Sequence, residues 1–210
     1  MSISSSEKIL ASIEDGIAIV TINNPAANTW DLESLPALEA VVHELNGMAH
    51  VRALVITGQG EKFFSAGADL NQFASGDPVA AGAMGDAFGA AFETLADYRG
   101  VSIAAINGYA MGGGLEVALA CDIRIAESHA ALALPEARVG LLPCAGGTQR
   151  LAQLVGEGWA KRIILCGERV PAEKAMTLGL VEEVVEPGTS LATAIDLAKR
   201  ALDQSPTSIA

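Results

Sequence analysis

The stretch that most constrains this chain runs over residues 106–126, Ile-Asn-Gly-Tyr-Ala-Met-Gly-Gly-Gly-Leu-Glu-Val-Ala-Leu-Ala-Cys-Asp-Ile-Arg-Ile-Ala. The mostly apolar run Val101–Ile106 that leads into it reads as a buried strand bounded by glycine. Gly112, Gly113 and Gly114 then stand where an apolar helix, Gly113–Ala120, begins. Adjacent glycines weaken a helix, so that backbone must be closely approached or must adopt dihedrals other residues avoid. A helix start also leaves unpaired N–H groups, with the positive end of the helix dipole behind them. Glu116 falls in the first turn, in an otherwise apolar setting. A carboxyl beside free amides suits an active site that stabilises a developing anion. It equally suits a helix whose early Glu interacts with the dipole and whose glycines permit tight packing, and this stretch alone leaves both readings open.

Two further stretches bear on that choice. Phe63-Phe64-Ser65-Ala66-Gly67-Ala68-Asp69-Leu70 follows a strand and contains a glycine turn. The segment Leu134-Pro135-Glu136-Ala137-Arg138-Val139-Gly140-Leu141-Leu142-Pro143-Cys144-Ala145-Gly146-Gly147-Thr148-Gln149-Arg150 carries a second acid among apolar residues. With these three motifs in this order, the chain resembles the enoyl-CoA hydratase/isomerase (crotonase) family from about its first strands to its end.

The resemblance implies an α/β fold, the crotonase (ClpP-like) spiral of repeated ββα units. It also implies a division into a core domain over residues 1–188 and the start of a C-terminal helical region over 189–210. Family members generally continue into further helices, so that region is expected to be incomplete. By motif position, the backbone N–H groups of Ala68 and Gly113 form the oxyanion hole, and Glu116 and Glu136 manage water and its protons. Adding water across a double bond conjugated to a thioester needs donors already aimed at the thioester oxygen. It also needs proton transfer on two sides, which suits a pair of carboxyl groups. Shifting a double bond can use a single base, so the pair favours hydratase over isomerase.

Cys144 stands where many relatives have glycine, near the acyl group. For the substrate's CoA, the resemblance points to backbone groups around Ala27, Ala66 and Leu70, and to Gly112 beside the hole. The early loop Pro25-Ala26-Ala27-Asn28 has no lysine, and Asn71 occupies a position that is often basic. Contacts to the CoA 3′-phosphate therefore have no assigned source. The expected reaction is reversible hydration of trans-2-enoyl-CoA. No metal or cofactor is expected, because CoA enters as part of the substrate, and the expected assembly is a homotrimer or a dimer of trimers. The alternatives are an isomerase or other acyl-CoA lyase on the same site, or a non-catalytic acyl-CoA-binding subunit.

Composition narrows the classes further. Half of the 210 residues are apolar and 18% are charged, which describes a globular chain. The formal net charge of −12 repels a phosphate backbone and argues against a nucleic-acid partner. No uninterrupted apolar segment reaches the roughly 18 residues of a membrane span. The amino terminus shows neither a secretory nor a mitochondrial leader pattern, which makes a cytoplasmic location the expectation. Cys121, Cys144 and Cys166 lack metal-type spacing and are expected to be reduced and mostly buried. His43, His50 and His129 have no Ser or Cys partner at a nucleophile elbow, so a hydrolase triad has no support.

Along the chain, residues 9–13 and 17–22 flank Asp15-Gly16 as a hairpin. Asp31 is an N-cap candidate for a helix over 32–47 with an apolar stripe from Leu35 to Leu45. A strand is expected over 54–57, a mobile loop over 71–85 and a helix over 88–98. Strands over 123–126 and 131–134, helices over 159–165 and Ala172–Leu178, a strand over 181–185 and a helix Ser190–Leu202 complete the reading. Trp30 and Trp159 are expected in the core or an interface. Asp69 is expected to stabilise its own loop, and Arg150 to make a structural ion pair.

Overall fold

The computed structural model describes residues 3–205 and 207. Its frame is a six-stranded sheet built from β1 (Ile9–Glu14), β2 (Ile17–Ile22), β4 (Ala53–Gly58), β7 (Val101–Ile106), β9 (Ile123–Glu127) and β12 (Glu183–Val185), in that spatial order. Only the β1–β2 hairpin is antiparallel; every later neighbour is parallel. Parallel neighbours require long crossovers. Here each crossover contributes a short strand to a second layer and then a helix.

The short strands are β3 (Thr29–Trp30), β5 (Phe63–Ser65), β6 (Gly67–Ala68), β8 (Tyr109–Met111), β10 (Ala131–Ala133) and β11 (Val170–Pro171). They form a four-stranded sheet, β11-β10-β8-β5, and a β3-β6 pair. The helices that follow are α1 (Ser34–Asn46), α2 (Pro78–Ala96), α3 (Gly113–Ala120) and α4 (Gly147–Leu165). The repeated ββα units expected from the sequence are therefore present. Strands β3, β8 and β11 span only two or three residues, too short for a periodic signal.

The central strands are buried on both faces, and the period of two sorts their side chains. Leu54, Ile56, Ala104 and Ile106 join the main core under α1 to α4. Val55, Ile103, Ala105 and Ile125 face the opposite way, where Ala194 and Ala198 of α6 (Ser190–Leu202) cover them. Arg52 anchors the end of α6 by donating to the carbonyls of Leu202 and Gln204. The intervening α5 (Ala172–Leu178) ends on Gly179 in the left-handed conformation.

Three local readings are corrected. Helix α1 begins at Ser34 instead of residue 32, because the Asp31 carboxylate accepts the N–H groups of Glu33 and Ser34 ahead of the first turn. The expected loop over 71–85 is mostly helical: a 3-10 turn, Leu70–Phe73, is followed by α2, started by Pro78 with the Asp77 carboxylate capping Val79 N–H. Its run of Ala and Gly carries no strong apolar period, which is why the helix was not visible upstream of Phe88. Helix α4 likewise begins at Gly147, with a break at Gly156, whose φ is +76°. Trp30 is fully buried against Phe92, whereas Trp159 is half-buried with Arg162 and Lys174 over its ring.

Candidate active site

The glycine triplet is required by what surrounds it. Gly112 has φ +55°, and a Cβ there would lie 3.0 Å from Glu136 Oε1. A Cβ on Gly113 would lie 2.6 Å from the Phe88 ring, and one on Gly114 would overlap the carbonyl oxygen of Ser65. A Gly67 Cβ would fall 3.1 Å from the Gly113 nitrogen, so the β6 backbone and the start of α3 are in contact. Ser65 itself is fixed, its hydroxyl donating to Asn28 O and accepting from Gly67 N. Because Ser65 O is backbone inside a strand, it has little room to move. Gly114→Ala is therefore expected to cost about 1–3 kcal/mol of stability, read as a lowered midpoint in urea unfolding.

These elements enclose a cavity of about 730 Å³. Ala66, Ala68, Leu70, Gly112, Gly113, Glu116, Glu136 and Cys144 all line it. Ala27 does not; its carbonyl accepts the N–H of Ala66, which ties the two loops together. Gly113 is the first residue of α3, so its N–H has no intrahelical acceptor. Asp69 N–H donates to Trp30 O, and the Asp69 carboxylate accepts from Asn71 N. Asp69 thus stabilises its own turn, as expected, and sets Ala68 beside the helix start.

The two acids sit in different environments. Glu116 is 2% exposed, and its Oε1 accepts the N–H groups of Ala145 and Gly147 at 2.8 and 2.9 Å. Burial raises its pKa above the ordinary value, while the two amides and the Arg150 charge oppose that rise. Glu136 opens a 3-10 turn after β10, Glu136–Val139. Its Oε2 is buried and, among the described residues, has no hydrogen-bond partner. Burial, with a smaller contribution from the Glu116 charge, pushes its pKa up to about 7. Both carboxyls are thus held above the ordinary range; the two amides favour the charged form of Glu116, whereas Glu136 has no comparable donors on its buried oxygen.

Cys144 faces the cavity, and partial desolvation together with the charges of Glu116 and Glu136 pushes its thiol up to about 11. A thiol so placed stays protonated at neutral pH. The expectation of mostly buried cysteines is met by Cys121 alone; Cys144 and Cys166 are exposed. Arg138 and Arg169 also line the cavity, and both were missed in the sequence. Arg169 precedes β11, which pairs antiparallel with β10 and so delivers it beside the Glu136 strand. No local pattern signals that pairing. Among the described residues, no group of three His, Cys, Asp or Glu side chains is placed to hold a metal, and no helix is long and apolar enough to cross a membrane.

The spiral of ββα units, with two carboxyl groups and a glycine-lined helix start on one apolar cleft, defines a crotonase-fold protein. The chain belongs to the enoyl-CoA hydratase/isomerase family, whose model matches residues 12–210. It is 39% identical to the short-chain-enoyl-CoA hydratase of Clostridium acetobutylicum over 93% of this chain and 76% of that one. It is 37% identical to the crotonyl-CoA hydratase of Syntrophomonas wolfei, over 94% and 76%. Among solved structures, Pseudomonas aeruginosa DspI is 61% identical with a TM-score of 0.96, covering 97% of this chain and 84% of that one. An enoyl-CoA hydratase from Bacillus anthracis is 36% identical with a TM-score of 0.93, over 97% and 80%.

Proposed function

We propose that this chain is an enoyl-CoA hydratase, converting trans-2-enoyl-CoA reversibly to 3-hydroxyacyl-CoA. The observation that carries the reading is the asymmetric carboxyl pair on the cavity wall: Glu116 clamped by two amides, Glu136 with an unpartnered oxygen and a pKa near 7. The names of the relatives support the same reaction. In hydration, the Ala68 and Gly113 N–H groups hold the thioester oxygen as it gains charge. Ionised Glu116 takes a proton from water as its oxygen bonds to C3, and protonated Glu136 delivers a proton to C2. The C2–C3 π electrons form the new C2–H bond by way of the enolate. Glu116 ends protonated and Glu136 ionised, so the charge of the pair is unchanged and proton exchange resets it.

CoA is part of the substrate, and no cofactor takes part in this scheme. Arg138 and Arg169 supply local positive charge toward an anionic thioester in a chain of net charge −12. KM is accordingly expected to rise with ionic strength in steady-state assays. Exposed Leu70, Val139 and Leu142 line the cavity. Such apolar surface supports the proposed homotrimer or dimer of trimers, which light scattering on a size-exclusion column tests. A cytoplasmic location and a role in acyl-CoA catabolism belong to the same reading.

The deciding assay follows the conjugated-thioester absorbance of crotonyl-CoA. Its loss on adding the protein, with 3-hydroxybutyryl-CoA as product, supports the hydratase. No loss with crotonyl-CoA or with longer enoyl-CoAs would sink it in favour of a binding role. Migration of a double bond without hydration would identify an isomerase.

A further inference from the structure

Arg150, on the first turns of α4, makes contacts that converge on the loop holding Glu116. Its Nη1 donates to the Ala145 carbonyl at 3.2 Å, and its Nη2 pairs with Glu93 Oε1 of α2 at 3.0 Å. Beside them, Gly146 adopts φ +89°, and a Cβ there would overlap the guanidinium, which therefore lies against the Gly146 backbone. The loop gripped in this way is the one whose Ala145 and Gly147 amides donate to Glu116 Oε1. Its partner Glu93 belongs to the helix whose Ala81, Gly85 and Phe88 wall the cavity and whose Phe88 ring abuts Gly113. The Arg150 side chain is one-fifth exposed and that of Glu93 about three-fifths. As an ion pair alone, it would contribute little to stability.

We propose that Arg150 is a positioning residue for Glu116. By bridging the Ala145 carbonyl and Glu93, it keeps the amides of Ala145 and Gly147 on one carboxylate oxygen and leaves the other directed into the cavity. The planar fork of arginine suits two partners at a fixed angle, and its permanent charge adds to the field at Glu116. The inference rests on the hydratase reading for its kinetic readout, though not for its spectroscopic one.

The test compares Arg150→Met, Arg150→Lys and Glu93→Gln with the parent chain, each checked for folding by circular dichroism. For Arg150→Met, kcat for crotonyl-CoA hydration is expected to fall about 10–100-fold, with KM within about twofold. The acid limb of the kcat profile should move to higher pH, because a lost positive charge raises the pKa of Glu116. Arg150→Lys retains the charge and should keep that limb while recovering part of kcat; Glu93→Gln, which keeps Arg150 but loosens it, should lower kcat less than Arg150→Met. A fall in kcat with no movement of the limb, or unchanged kinetics, would overturn the proposal in favour of a packing role. If the parent chain does not turn over at all, the hydratase reading fails separately. The titration of Glu116 by carbon-13 NMR of glutamate-labelled protein then decides: an upward shift in Arg150→Met supports the positioning role, and an unmoved titration overturns it.

Discussion

Glu136→Gln is expected to lower kcat for hydration of crotonyl-CoA by about 10²–10⁴-fold, the usual contribution of a positioned general acid–base group. Glutamine fills the same space but holds no exchangeable acid proton for C2. The parent profile should fall on the alkaline side as pH rises through about 7, where Glu136 loses its proton. In the variant that limb should vanish, leaving a low rate that no longer responds to pH in that range. Stability should move the other way. A carboxyl whose folded pKa is raised holds its proton while the unfolded chain has already released it. The parent therefore loses stability as pH climbs from the ordinary glutamate value to about 7. Glutamine avoids that loss, so the variant should melt higher than the parent at pH 8 and about equally below pH 4. A variant that is both slow and more stable is the signature of a group kept for function at a cost to the fold. A Glu136→Gln chain with parental kcat would remove Glu136 from the chemistry.

The second large effect concerns Glu116, where activity and stability should separate by choice of substitution. Glu116→Ala removes the acceptor of two buried N–H groups, those of Ala145 and Gly147. Stability should drop by about 1–3 kcal/mol for the unpaired donors, and kcat by about 10²–10⁴-fold. Glu116→Gln keeps an oxygen for both amides and should restore most of the stability while leaving kcat low. Urea unfolding and the crotonyl-CoA assay on the same two proteins check this together. If alanine and glutamine are equally stable, the amide clamp is not what holds the carboxylate. The double variant Glu116→Gln, Glu136→Gln should be little slower than the worse single variant, because the two groups act as one unit.

Much of this site was visible in the sequence because its parts are local. The order of strand, glycine triplet, helix and acid over residues 106–126 sets a buried strand and a helix start within a few residues of each other. Val101–Ile106, Gly113–Ala120 and Ser190–Leu202 have the bounds read from their apolar runs. The acids at 116 and 136 stood out because an ionisable group in an apolar run needs a partner or a purpose.

The rest depended on contacts between distant segments. That Gly112 faces Glu136 and that Gly114 meets Ser65 follow from β5, β8 and β10 lying side by side, and that Phe88 limits Gly113 follows from α2 packing on α3. Those strands are three residues each, and pairing distant partners is a property of the whole sheet. The same holds for Arg169, carried to the cavity by the antiparallel β10–β11 pair, and for the bond by which the Ala27 carbonyl accepts the Ala66 N–H. The raised pKa values of Glu116 and Glu136 are likewise tertiary, since burial produces them and amide donors from another loop oppose the rise at Glu116. By itself, the sequence determined which residue types were available and which short elements they form, because those follow from neighbours along the chain. Only the tertiary structure decided how differently the two carboxyls are solvated and hydrogen-bonded, because both effects act through space.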